Sequence, residues 1–261
     1  MNQVVEALAI GLVGALIAAG TVLAWHRFRP QDADEGDRGE EAAEYMSMMI
    51  ALLYAMLLGL ALVNVWEMRA DAEGNTSKEA GALHQIAVLS DGLPAEQRRR
   101  VEALTEEYAA HVVRDEWPLM NRRQELGPTG WEILGRLRAA SAAAPDSTPA
   151  QQVTALEVLT QLSDLDEARR GREANAEDAL SPVLWAGLVV GAVLSVCILF
   201  FFGIGRSPSQ LVMAMGMVAL TVFLGYLIHQ LSMPFGDVAG VGTDPFTRYF
   251  AIPDNARAPS P

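Results

Sequence analysis

The chain has 261 residues, 51% of them hydrophobic, and a formal net charge of −13 at pH 7. This acidic balance argues against a nucleic-acid-binding protein, because phosphate binding needs a basic surface. Only one cysteine is present, Cys197. An intramolecular disulfide and a multi-cysteine metal site are therefore excluded.

Four long apolar runs contain most of the hydrophobic residues, at 4–25, 45–66, 182–205 and 211–231. Each is long enough to cross a bilayer, which requires about 20 predominantly apolar residues. The first run lacks a preceding basic residue and is too long for a cleaved signal peptide, so it is predicted to be a retained span. We therefore predict an all-α, polytopic membrane protein with four transmembrane helices.

The runs divide the chain into four regions. Two transmembrane hairpins, 1–68 and 181–231, enclose a soluble, acidic, helical domain at 69–180, and a C-terminal tail follows at 232–261. The acidic connection 26–44 has no apolar period and is predicted to be a solvated loop.

Helix signals continue beyond the second run. The helix is expected to extend past Trp66 to the string "SDGLP" at 90–94, and a break at Gly74 and Asn75 stays open. Further breaks are predicted at "GPTG" (127–130) and "PDSTP" (145–149). Apolar residues at helical spacing then predict two buried faces. These are Val101, Leu104, Tyr108 and Val112 on one helix, and Val153, Leu156, Leu159 or Thr160, Leu162 and Leu165 on another.

Three local patterns predict how the helices of the soluble domain begin or bend. Thr129 with Glu132 has the spacing of a capping box, and Thr148 before Pro149, with Gln151, repeats such a start. Pro118 lies inside a helical pattern, where it removes a backbone hydrogen bond, so a kink is predicted there.

The first three spans carry small residues at every fourth position, which lets helices approach closely in lipid. In the third span these residues are Gly187, Gly191 and Ser195. In the second span these residues are Ser47, Ala51, Ala55 and Gly59. They form a candidate pore face or inter-helix packing face, and both interpretations stay open. No Asp, Glu, Lys or Arg lies in the middle of a span, which argues against a pump or secondary transporter. A channel with a hydrophobic constriction and a plain anchor both fit.

No catalytic motif is present, so an enzyme, a cofactor and a metal site are not expected. His111 has Asp115 and Glu116 nearby, a grouping that would allow a metal ion. Ordinary pairing on a helix surface is the favoured interpretation, because carboxylates four residues away are common. More arginines flank the side that holds 69–180 and both termini, which predicts that these parts are cytoplasmic.

Five strings resemble the bacterial bestrophin-like membrane-protein family, which has long been catalogued as a domain of unknown function. They are "LLYAMLLGLALVNVWE" (52–67), "EAGAL" (79–83), "EYAAHVVRDEWPLM" (107–120), "LSPVLWAGLVVGA" (180–192) and "MPFGD" (233–237). The likeness covers nearly the whole chain, in both the order of segments and the local strings.

The resemblance implies similarity to bestrophins, which are pentameric anion channels with two spans, a cytoplasmic helical insert and two more spans. In that layout the second span lines the pore, which implies a pore face within 45–66. Two functions follow as hypotheses. One is an oligomeric, bestrophin-like anion channel in the cell membrane. The other is a non-conducting scaffold or sensor whose helical domain binds a cytosolic protein partner.

Overall fold

The structure is a computed structural model. It describes residues 38–122, 124–142, 147–177, 180–201, 208–236 and 240–252. These residues form helices and short connections without a strand, so the all-α prediction is confirmed for this part of the chain. The first predicted span, 4–25, and residues 26–37 of the connection lie outside the described residues. Residues 38–44, predicted to be part of a solvated loop, are instead helical, so that prediction is wrong for them.

Eight α-helices follow one another along the described residues. They are α1 (Arg38–Leu89), α2 (Ala95–His111), α3 (Trp117–Asn121), α4 (Thr129–Ser141), α5 (Pro149–Glu177), α6 (Pro182–Phe201), α7 (Pro208–Leu231) and α8 (Asp244–Tyr249). A 3-10 turn, Ser90–Gly92, ends α1, and a π-helix, Val112–Glu116, joins α2 to α3.

The chain divides into two compact units. We call Met1–Trp66 with Ala179–Ser232 the apolar unit, and Glu67–Asp178 with Met233–Pro261 the polar unit. The predicted end of the long helix at "SDGLP" is correct, and the open question at Gly74 is settled, because α1 continues through it.

Two stretches among the described residues are long and apolar enough to cross a membrane. One is Met48–Gly92, in α1 and the turn that ends it, and the other ends at Cys197 in α6. Only 17% of the apolar window of each stretch is buried inside the chain, unlike the core helix of a soluble protein. A shorter apolar stretch, Met215–Leu231, lies within α7. The two long stretches support the second and third predicted spans, and the shorter one agrees with the position of the fourth. A total of four spans stays a prediction.

Close helix packing in the apolar unit depends on glycine. A Cβ atom at Gly191 would lie 2.4 Å from Cδ2 of Tyr54, and one at Gly187 would lie 3.4 Å from Cδ2 of Leu57. Both glycines belong to the small-residue ridge of α6, which therefore packs against α1. The buried core beside this contact consists of Ala61, Val65, Leu180, Leu188 and Ile228.

The polar unit has a conventional apolar core around the second half of α1. Residues of this core come from α1, α2, α4, α5 and α8, among them Leu83, Val101, Leu137, Leu162 and Phe246. Where Gly171 of α5 faces α1, a Cβ atom would lie 2.6 Å from Nδ2 of Asn75. That amide instead donates to Oδ1 of Asn175 at 2.8 Å, which joins the two helices.

The predicted helix starts have mixed outcomes. Thr148 and Gln151 form the reciprocal cap, with backbone–side-chain distances of 2.9 and 3.3 Å. The capping box at Thr129 is wrong, because Thr129 is already the first residue of α4 and no side chain caps it.

The predicted face of α5 is correct only in its second half. Leu162 and Leu165 are buried, but Val153 and Leu156 are 67% and 65% exposed. The buried stripe begins one position away, with Ala155.

Candidate functional site

The predicted candidate face lies on the first half of α1. Ala55 and Gly59 are exposed and Ala51 is half-buried, whereas the side chain of Ser47 lies outside the described residues. A Cβ atom added at Gly59 would meet no atom within 4 Å. Among the described residues, nothing therefore covers this part of the helix surface.

A different side of α1 packs within the chain. Tyr54, Ala61 and Val65 are buried there, at 8%, 0% and 1% exposure. At about 100° per residue, Ala55 and Gly59 lie roughly 100° and 140° around the helix from this buried side. Within the described residues, these two positions therefore take no part in that packing.

Large apolar side chains extend the open surface of α1. Leu52, Met56 and Trp66 are each more than 60% exposed. Asn64 is exposed as well and makes no hydrogen bond within the described residues. An apolar surface of this size with one polar amide needs lipid, a second copy of the chain or a pore to cover it.

The polar unit contains a second feature, which the sequence did not predict as a site. Five side chains with at most 1% exposure form a buried ion network. They are Glu79 on α1, Tyr108 on α2, Glu116 at the end of the π-helix, and Arg169 and Arg172 on α5.

Arg172 lies between the two carboxylates. Its Nε donates to Oε2 of Glu79 at 2.5 Å, and its Nη2 donates to Oε1 of Glu79 at 3.0 Å and to Oε2 of Glu116 at 2.7 Å. Nη1 of Arg172 is 3.1 Å from Sδ of Met120. One guanidinium thus connects α1, the π-helix and α5.

Arg169 completes the network with a forked pair to Glu116. Its Nη2 and Nη1 are 2.6 and 3.1 Å from the two carboxylate oxygens of Glu116. Nη1 also donates to the hydroxyl of Tyr108 at 2.8 Å, and that hydroxyl donates to Oε1 of Glu79 at 2.5 Å. Two positive and two negative groups therefore balance inside the core, as buried charges require.

Partly exposed residues surround Arg169. Its guanidinium lies 5.0 Å from the ring centroid of Trp131, and Nε1 of Trp131 donates to Glu173 at 3.2 Å. His111 shows the pairing that the sequence favoured, with 2.8 Å from Nδ1 to Oδ2 of Asp115. Within the described residues, no group of three or more metal-ligating side chains comes together.

The network shifts the ionisation of its own members. Burial alone would raise the pKa of Glu116, but the charge of Arg172 and the hydrogen bonds from Arg169 hold that pKa below its ordinary value. Burial and the charge of Glu79 raise the pKa of Tyr108 well above its usual range, so the phenol stays neutral. Burial also raises the pKa of Glu173, against the opposing charge of Arg169.

The π-helix explains how Glu116 reaches the core. Pro118 cannot donate to the carbonyl four residues earlier, and its ring would clash with that carbonyl in a regular α-helix. The wider π turn at Val112–Glu116 relieves this conflict just before the proline. The sequence predicted a kink at Pro118, and the structure has a π-helix immediately before it.

Gly130 leaves room for the fork between Arg169 and Glu116. A Cβ atom at this position would lie 2.3 Å from Nη2 of Arg169 and 2.5 Å from Oε1 of Glu116. The start of α4 therefore closes over the ion pair without a side chain. Enclosed in this way, the network holds four helical segments together.

A signal for the network was present in the sequence. Buried residues of α5 recur at alternating spacings of three and four, and Arg169 and Arg172 continue the stripe in phase after Leu162 and Leu165. Glu79 continues the stripe of α1 in the same way, between Thr76 and Leu83. Charged residues in phase with an apolar stripe were the missed indication of buried pairs.

Comparison with known proteins agrees with the helical arrangement. The Bestrophin-like domain family matches residues 14–246. Two crystal structures of variants of a bacterial bestrophin homologue from Klebsiella pneumoniae are similar to the chain, with TM-scores of 0.67 and 0.66. Each is 13% identical, covering 95% of this chain and 96% of the other.

A further crystal structure, of a membrane protein, is similar with a TM-score of 0.62, 13% identity and the same coverage. At this identity the structural likeness shows the fold alone. A comparison with curated proteins finds no match. Because the family match spans most of the chain and the apolar helices are exposed, this protein is a membrane protein of the Bestrophin-like family.

Proposed function

We propose that the protein is a homo-oligomeric anion channel of the cell membrane, with the first half of α1 next to the pore. The observation that carries this proposal is the open surface of α1 around Ala55 and Gly59. Packing within the described protomer uses another side of the same helix. The ridge is therefore available to a pore or to a neighbouring copy.

The residue chemistry of the spans fits passive conduction. The middle of the predicted spans carries no Asp, Glu, Lys or Arg, which are the groups that pumps and coupled carriers use. An apolar constriction can gate ions by losing its water. Membership of the Bestrophin-like family supports the same function.

The proposed topology has four spans, with both termini and residues 69–180 in the cytoplasm. The arginine bias of the sequence supports this orientation. Single cysteines at positions 78 and 146, introduced after replacing Cys197, should both react with a membrane-impermeant reagent only from the cytoplasmic side. Labelling of position 146 from the outside would contradict the orientation.

The experiment that tests conduction is a chloride-flux assay with the purified chain in liposomes. Wild type should conduct, and Ala55→Trp should change the flux or the assembly strongly, because the indole occupies the pore or the seam between copies. Ala61→Trp is the matched control, since Ala61 is fully buried within the chain. That variant should disturb folding instead.

The outcomes separate a channel from a scaffold. A symmetric oligomer with flux that depends on residue 55 supports the channel. No flux from well-folded wild type, tested across several pH values and calcium concentrations, contradicts it and favours a non-conducting scaffold that binds a cytosolic partner. A stable monomer in nanodiscs would contradict a pore formed by several copies.

A further inference from the structure

A cavity of about 350 Å³ lies in the polar unit, between α1 and the segment that carries α8. Four charged residues line it, two of each sign. Arg69 and Glu73 come from α1, and Asp244 and Arg248 come from α8. The hydroxyl-bearing residue Ser77 also lines it.

The four charges have no ion-pair partner within 4.0 Å among the residues that the structure describes. Arg69 and Glu73 are four residues apart on one helix, and so are Asp244 and Arg248 on the other. Opposite charges at this spacing commonly pair. Here they surround the cavity instead, so their hydrogen-bonding capacity is free for a ligand.

The walls of the cavity are fixed by buried packing. Phe246 is fully buried in the core that contains Leu83, and Val241 belongs to the same buried cluster as Ala72. Tyr249, another lining residue, stacks on His84 with the ring centroids 4.3 Å apart. These contacts attach α8 to α1 on both sides of the charged groups, so the cavity exists before a ligand binds.

The sequence places this cavity next to a membrane boundary. Arg69 follows Trp66, the last residue of the second apolar run, by three positions. This separation is about 4.5 Å along a helix at 1.5 Å per residue. The headgroup layer beyond the hydrocarbon core is about 5–7 Å thick on each side. With Trp66 at the edge of the hydrocarbon core, as the predicted topology has it, Arg69 would lie at the depth of lipid phosphates.

We propose that the cavity binds the phosphoethanolamine headgroup of a membrane lipid. Arg69 and Arg248 would bind the phosphate, and Glu73 and Asp244 would bind the ammonium group. Guanidinium groups donate to phosphate with favourable geometry. An ammonium group can donate up to three hydrogen bonds to the carboxylates.

The same chemistry predicts which headgroups bind weakly. A choline headgroup has a trimethylated nitrogen without a hydrogen to donate, so it forms no hydrogen bond with Glu73 or Asp244. A purely anionic headgroup such as phosphoglycerol lacks a cation for these carboxylates and would be repelled by them. Selectivity for phosphoethanolamine thus depends on having both pairs of charges at one cavity.

The test is lipid retention by the purified full-length chain in native mass spectrometry. The delipidated protein is titrated with phosphatidylethanolamine, phosphatidylcholine and phosphatidylglycerol that have identical acyl chains. Wild type should retain the ethanolamine lipid at least about tenfold more strongly than either of the others, a difference that corresponds to about 1.4 kcal/mol.

Two double variants and a matched double control sharpen the result. Arg69→Gln with Arg248→Gln should lose the ethanolamine lipid, whereas Arg99→Gln with Arg100→Gln removes the same charge elsewhere and should retain it. Glu73→Gln with Asp244→Asn should reverse the preference toward phosphatidylglycerol. Arg248→Gln alone changes one exposed side chain and should already weaken retention without affecting folding, which circular dichroism checks.

Soluble O-phosphoethanolamine, added in a thermal-shift assay, distinguishes a free ligand from a lipid. Weak stabilisation by the soluble compound together with strong retention of the lipid supports a lipid headgroup. Binding of the soluble compound without retention of the lipid would overturn that source. Equal retention of all three lipids, or unchanged retention after the arginine substitutions, would overturn the site. None of these measurements depends on ion conduction.

Discussion

The two units of this protein place polarity in opposite ways. In the described part of the apolar unit, large hydrophobic side chains such as Leu53, Met56 and Val190 are more than half exposed. In the polar unit the deepest side chains include two arginines and two glutamates, while exposed large hydrophobics are few. Both units thus have an apolar core, but among the described residues the buried charges all lie in the polar unit and most exposed large hydrophobics lie in the apolar unit.

The contrast shows which interactions select the helix packing of each unit. In the apolar unit, apolar surface gains nothing by leaving lipid, so close packing at Gly187 and Gly191 has to select the helix contacts. In the polar unit, water drives the apolar core together without selecting a register. The buried ion network selects it, because an unpaired charge in the core would be very unfavourable.

The largest expected effect comes from breaking the buried network. Arg172→Leu removes a guanidinium that binds Glu79 and Glu116, and it should lower the free energy of unfolding by about 3–5 kcal/mol. Urea unfolding of the detergent-solubilised chain, followed by tryptophan fluorescence, measures this. Arg170→Leu, an exposed site on the same helix, is the control and should lose less than about 1 kcal/mol.

A double variant distinguishes charge from packing in that result. Glu79→Leu with Arg172→Leu removes one charge of each sign and should recover part of the lost stability, since apolar replacements of buried pairs are often neutral. A single Arg172→Leu variant as stable as wild type would mean that the network contributes little.

A smaller loss of stability is expected from substituting the glycine that covers the ion network, Gly130. Gly130→Ala places a methyl group 2.3 Å from Nη2 of Arg169 and must displace the fork to Glu116. Overpacking of this kind costs about 1–3 kcal/mol. Gly135→Ala, on the same helix with open space around it, should be neutral or stabilising in the same urea experiment.

Acid should weaken the polar unit gradually. The pKa of Glu116 is lower in the folded protein than its ordinary value of 4.5. The stability that ionised Glu116 gives the folded protein is therefore fully present above pH 4.5. It is lost as the pH falls through the pKa that Glu116 has in the folded protein. Glu173, with a raised pKa, acts in the opposite direction and partly offsets the loss. Urea midpoints measured from pH 6 to pH 3 check the net decrease, and an increase would contradict it.

The smallest effect is expected at an exposed ion pair. Nη2 of Arg138 is 2.5 Å from Oδ2 of Asp166, but Arg138 is substantially exposed to water. Arg138→Ala should therefore change stability by less than about 1 kcal/mol, and less still at high salt. A loss of stability as large as that of Arg172→Leu would mean that buried and exposed ion pairs contribute equally, contrary to this prediction.

Much of the fold follows from composition and from helix start and stop signals, which are local features of the sequence. The apolar runs, the end of α1 near residue 90 and the start of α5 at Pro149 are readable because single segments determine them. The buried ion network could not be predicted in this way, because Glu79 and Arg172 are 93 positions apart and only packing brings them together. The small residues of α1 were found, but the side that they face depends on neighbouring helices.

The π-helix makes the length of its segment more important than its composition. It spans five residues, Val112–Glu116, and gives the chain one residue more than a regular helical turn would need. Removing one residue, for example Val113, would restore the regular period and rotate Glu116 by about 100° relative to α2. Its carboxylate would leave both arginines, and Pro118 would meet a regular helix. Homologous chains should therefore vary in residue type here far more readily than they gain or lose a position.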